Sequence, residues 1–179
     1  MSDKQKSLEA LELALQTEDD GYRMYKTAME GELNELSRGL FSQLAKDELL
    51  HKDLIKRFYA QLNEAGTWAA VSEEDKKAGE MKGKYKTIFS EALQKMGKSG
   101  KEFSESEKEA YQKAIEFEKN GMEMYDRLYN ETEDPQAKYF YGFLREMERE
   151  HMEVLENALQ FVNNPDGWLI QNEGWTMED

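Results

Sequence analysis

The stretch 46-KDELLHKDLI-55 places a histidine, His51, three residues after a glutamate, Glu48. The stretch 145-REMEREHMEV-154 repeats the arrangement with Glu148 and His151, one hundred positions further on, and the chain has only these two histidines. Residues three apart on a helix share a face, with Cβ atoms about 5–6 Å apart, so each Glu–His pair can reach one ion. An isolated Glu-x-x-His in an acidic helix is weak evidence, because solvated pairs of this kind are common. The repetition gives it weight.

The same offset of one hundred aligns much more of the chain. Ala10, Ala14, Glu18, Gly21, Met24, Tyr25 and Leu44 recur as Ala110, Ala114, Glu118, Gly121, Met124, Tyr125 and Leu144. Two copies of one unit are present, each about 55 residues long. Within each copy, steps of three and four define apolar stripes. The first two read Leu8, Leu11, Leu15, Glu18, Tyr22, Tyr25, Met29 and Phe41, Leu44, Glu48, His51, Ile55, Phe58, Leu62. The second copy gives Tyr111, Ile115, Glu118, Met122, Tyr125, Tyr129 and Tyr141, Leu144, Glu148, His151, Leu155, Ala158, Val162. Only Glu18, Glu48, His51, Glu118, Glu148 and His151 interrupt these stripes.

Short connections at 30–38 and 130–136 make each unit an antiparallel helical hairpin, and two hairpins make an all-α four-helix bundle. Ser104 followed three residues later by Glu107 is a capping-box pattern, and Asp134-Pro135 fits an N-cap and first turn. The expected division is one domain: hairpin one over 8–62, a crossover over 63–104, hairpin two over 105–162, and a non-helical tail over 163–179. Ser72 through Gly97 is long enough for a crossover helix, which would let the second and third bundle helices run parallel, although Gly79 and Gly83 weaken its continuity. Trp168 and Trp175 in the tail are expected to pack on the bundle.

Four glutamates inside a bundle need a counter-charge, since a buried unpaired carboxylate costs several kcal/mol or takes up a proton. Two divalent cations between four carboxylates and two neutral imidazoles supply it. The donors are oxygen and imidazole nitrogen, which suit iron or manganese, admit zinc, and disfavour cuprous copper. Tyr25 and Tyr125 lie two turns beyond Glu18 and Glu118 on the same face, as core filler or as hydrogen-bond donors to a ligand carboxylate or a bound oxygen species. Tyr22 corresponds to Met122 in the other copy, and its hydroxyl is a candidate source of asymmetry between the two metals. Gly21 and Gly121 are expected to let helices approach closely near the ligands.

Composition excludes several alternatives. The 179 residues contain no cysteine, which removes disulfides, thiolate zinc sites, cysteine-ligated iron–sulfur clusters and a catalytic thiol. A net charge of -14 argues against nucleic acid or an anionic membrane as partner. No apolar run approaches the roughly 20 residues of a membrane span, and the N-terminal residues lack a signal-peptide core, so a cytoplasmic location is expected.

The segments 10-ALELALQTEDDGYRMY-25 and 110-AYQKAIEFEKNGMEMY-125, each followed by a hairpin mate carrying DELLH or EREH, resemble the rubrerythrin-like branch of the ferritin-like superfamily. The resemblance covers roughly 8–62 and 107–162. It implies a ferritin-like bundle holding two iron ions, with Glu48 and Glu148 as bridging ligands and Glu18 and Glu118 as terminal ones. It further implies a homodimer that reduces hydrogen peroxide or dioxygen. Full rubrerythrins add a cysteine-ligated rubredoxin module and a further glutamate one turn after the third-helix ligand. Here there is no cysteine, and that turn holds Gly121, so electrons would come from a separate donor protein. The alternative is a non-enzymatic iron-binding protein, or a ferroxidase subunit of an iron store.

Overall fold

The computed structural model describes residues 3–79, 82–96 and 103–171. Among the described residues seven helices follow in order: α1 Asp3–Ala28, α2 Glu35–Ala65, α3 Glu73–Ala78, α4 Lys82–Met96, α5 Glu105–Glu131, α6 Pro135–Asn163 and α7 Pro165–Gln171. No strand occurs among the described residues. Their boundaries follow from local chemistry. Asn34 caps α2 by accepting from the Leu36 amide, and Gly66 closes it in the left-handed conformation at φ 76°, which a side chain would disfavour. Ser104 and Glu107 form the capping box of α5, and Asp134 caps α6 with Pro135 in its first turn.

Cross-helix contacts fix the topology. Lys4 donates to the Asn63 carbonyl at 2.7 Å, and Tyr59 to Glu12 at 2.9 Å, so α1 and α2 run antiparallel. In the second copy Arg145 pairs with Asp126, and His151 faces Glu118 at 3.4 Å, which makes α5 and α6 the matching hairpin. Tyr25 of α1 reaches Glu118 of α5, while Tyr125 of α5 reaches Glu18 of α1. These two helices are therefore antiparallel as well, so α2 and α5 run parallel across the long connection. The result is a ferritin-like four-helix bundle with approximate twofold symmetry between the repeats.

The crossover differs from one continuous helix. It consists of α3 and α4, with α3 ending at Gly79; Gly83 lies within α4. Gly79 stops α3 against α6: a Cβ there would stand 2.8 Å from Phe143 Cζ and 2.9 Å from Met147 Sδ. From α4, Tyr85 and Phe89 are buried against the bundle.

The tail also requires correction, because residues 165–171 form a helix. Pro165 supplies a preset φ at its first position, and the Asn164 side chain accepts from the Gly167 amide at 3.2 Å, giving a short helix without an amphipathic period. Trp168 packs on the bundle as expected, stacked on Phe89 with centroids 5.5 Å apart and donating to Asn157 at 2.8 Å. Trp175 lies outside the described residues.

The core stripe of each first hairpin helix is rotated by one residue at two turns. Ala14 and Gly21, rather than Leu15 and Tyr22, are buried in α1, and Ala114 and Gly121 take the same places in α5. Helices this close admit only small side chains on the line of contact, so the larger neighbours flank it.

Candidate metal centre

Glu18, Glu48, His51, Glu118, Glu148 and His151 converge midway along the bundle, and none is more than 3% exposed. Their donor atoms fall into two groups, each lying within 4.8 Å of one another: Glu18, Glu48, His51 and Glu148, and Glu48, Glu118, Glu148 and His151. Glu48 and Glu148 belong to both groups. Helix register explains the sharing, since antiparallel α2 and α6 cross where the two Glu–His pairs oppose each other.

Both imidazoles turn Nδ1, the nitrogen nearer the backbone, toward the carboxylates. His51 Nδ1 is 2.9 Å from Glu18 Oε2, 3.6 Å from Glu148 Oε1 and 3.8 Å from Glu48 Oε2. His151 Nδ1 is 3.4 Å from Glu118 and 3.6 Å from both Glu48 and Glu148. The two rings stack at 5.1 Å with 15° between their planes.

The cluster is poorly satisfied by protein groups alone. Glu48 Oε1, Glu118 Oε2, His151 Nδ1 and the Nε2 atoms of both histidines are buried without a hydrogen-bond partner. Each such group costs about 1–3 kcal/mol. With protons as the only counter-charge, burial and the neighbouring Glu18 raise Glu48 well above the usual carboxyl range. Burial likewise pushes Glu118 up to about 8, against the opposing field of His151. Burial would lower His51, but Glu18 and Glu148 outweigh it and raise the ring to about 9. Glu148 goes the other way: burial would raise it, but the two imidazoles, each with Nδ1 3.6 Å from one of its oxygens, outweigh burial and hold it well below the usual value. Protons are thus an imperfect substitute for cations, and the oxygen and nitrogen donors fit a di-metal site.

Tyr25 donates to Glu118 Oε1, and Tyr125 donates to Glu18 Oε1. Burial and these carboxylates raise both phenols, so each hydroxyl keeps its proton and remains a donor. Tyr22 does not join them. It is only partly buried, because the line of helix contact passes through Gly21. The two glycines also differ. A Cβ at residue 21 would lie 2.9 Å from the Phe117 ring and 3.0 Å from Glu48 Cδ, whereas at residue 121 the nearest atom is Glu148 Cγ at an ordinary 3.6 Å. Close approach requires glycine at 21 and not at 121.

A further asymmetry between the halves lies at Asp47 and Tyr85. Asp47, 1% exposed, occupies the place of Met147 in the other copy. It accepts from Tyr85 of α4 at 2.8 Å and from Gln43 at 2.9 Å, with Lys84 at 3.6 Å. The Tyr85 ring stands edge-on to His151, centroids 6.4 Å apart. The available signal was an acidic residue, Asp47, directly before Glu48 where the other copy has the apolar Met147.

A bundle of two repeated hairpins, with Glu-x-x-His on one helix of each and a single glutamate on the other, defines the carboxylate-bridged class of ferritin-like proteins. In agreement, the protein-family model described as Rubrerythrin matches residues 9–159. The chain belongs to the rubrerythrin family. No curated protein and no solved structure matches it significantly.

Proposed function

We propose that this protein is a non-haem di-iron oxidoreductase that reduces hydrogen peroxide or dioxygen. The observation that carries the reading is the sharing of Glu48 and Glu148 by two buried donor groups. Bound iron would supply the electrons for reducing the oxidant. Glu18 with His51, and Glu118 with His151, would hold the outer side of each ion, and Glu48 and Glu148 the space between them. Tyr25 and Tyr125 orient Glu118 and Glu18 from opposite repeats and keep protons at their Oη atoms. Leu44, Ile55 and Leu144, each fully buried one turn from a ligand on the same helix, help to exclude bulk water. With no cysteine in the chain, re-reduction would depend on a separate donor protein.

The test is anaerobic loading with ferrous iron, elemental analysis, and stopped-flow absorption after mixing with peroxide or, separately, dioxygen. Two irons per chain and oxidation by one of these oxidants faster than that of free ferrous iron are expected. Oxidation no faster than in protein-free buffer, with both oxidants, overturns the reading. Gel filtration at the mass of a dimer supports it over a cage-forming iron store.

A further inference from the structure

We infer that a cavity between α2, α3 and α6 is the port through which a small uncharged oxidant reaches the cluster, with Arg57 and Asp75 setting its mouth. This rests on the oxidoreductase reading above and names its route and size limit. The cavity encloses about 170 Å³ and runs from exposed Asp53 and half-exposed Arg57 inward to His51, which is 2% exposed. That is room for about six waters at about 30 Å³ each. Hydrogen peroxide and dioxygen fit with room to spare, and any limit on a branched hydroperoxide is set by the Arg57–Asp75 pair at the mouth and not by the volume behind it.

The lining selects against charge. Leu50, Leu54 and Met147 form apolar wall, and each of the three acids has a basic neighbour. Asp75 pairs with Arg57, Asp53 with Lys56 at 3.3 Å, and Asp47 lies 3.6 Å from Lys84. No uncompensated carboxylate remains to draw a cation inward. The mouth is rigidly built: Asp75 is locked in the α3 capping box with Ser72, and Gly79 seats the end of α3 directly on Phe143 and Met147.

Met147 provides a reporter inside the port. Peroxide transfers one oxygen to its thioether sulfur as the O–O bond breaks; the sulfur is oxidised to the sulfoxide and water leaves. The experiment uses zinc-loaded full-length protein, whose metal is redox-inert, exposed to hydrogen peroxide or tert-butyl hydroperoxide. Sulfoxide at Met147 is followed by peptide mass spectrometry relative to Met29. Leu50→Trp, at a half-exposed position, should slow Met147 oxidation by hydrogen peroxide at least about fivefold. Arg57→Ala should accelerate oxidation by tert-butyl hydroperoxide by a larger factor than by hydrogen peroxide. Equal relative rates in wild type and both variants overturn the port. Because no turnover is involved, this result stands apart from whether the iron-loaded protein reacts with an oxidant, which tests the function itself.

Discussion

Tyr25 donates to Glu118 of the opposite repeat, and Tyr125 returns the relationship with Glu18. Each hydroxyl satisfies a carboxylate of the other hairpin, so the pair ties the two repeats together at the cluster. Tyr25→Phe and Tyr125→Phe should each destabilise the metal-loaded protein by about 1.5–3 kcal/mol, the range for hydrogen bonds to charged groups. Urea unfolding measures this. Approximate symmetry predicts similar single effects, and the shared cluster predicts that the double variant will depart from their sum.

The two glycines provide a second contrast. Gly21→Ala drives a methyl group into Phe117 and Glu48 and should cost about 1–3 kcal/mol, with reduced metal retention. Gly121→Ala meets Glu148 at normal contact distance and should be neutral or stabilising by up to about 1 kcal/mol, because alanine favours the helix. Denaturation midpoints of equal size in both variants would contradict the asymmetry.

Removing the metal should make stability depend on pH. In the folded, cation-free protein Glu118 is raised to about 8 from 4.5 and His51 to about 9 from 6.5. The folded state therefore binds more protons than the unfolded chain, and the stabilisation from both groups is full below about pH 4.5. It is lost for Glu118 as pH rises through 8, and for His51 between 6.5 and 9. Glu148, lowered, acts in the opposite sense only below its ordinary 4.5. The melting temperature of chelated protein should fall from pH 5 to pH 9, while the advantage of metal-loaded protein grows as protons cease to compete for the ligands. Thermal melts across that range, with and without chelator, check the sign.

The sequence made the bundle legible because the repeat doubled every signal. Six polar residues inside apolar stripes at a fixed offset are hard to explain as surface, and the caps at Ser104 and Asp134 lie where serine and aspartate placed them. Periodicity could not resolve which of two adjacent residues lies on the line of helix contact. A step of one turns a helix by only about 100°, so Tyr22 was indistinguishable from Gly21 until packing favoured the smaller residue. The crossover and α7 have no counterpart in the repeat, and α7 is too short to show a period. Tyr85 was hidden for the same reason, since its partner Asp47 lies outside the segment that carries it.

Tyr85 and Asp47 can be separated experimentally from the metal ligands. Tyr85→Phe removes the 2.8 Å hydrogen bond to a buried carboxylate and should cost about 1–3 kcal/mol. Metal content should stay unchanged, as Asp47 retains Gln43 and belongs to neither donor group. Elemental analysis beside urea unfolding distinguishes this outcome from loss of a ligand.

Anomalous diffraction at the iron edge, from crystals loaded anaerobically with ferrous iron, tests the central claim most directly. Two peaks are predicted, both contacted by Glu48 and Glu148, one flanked by Glu18 and His51 and the other by Glu118 and His151. A single peak, or iron bound only at surface carboxylates, would contradict it.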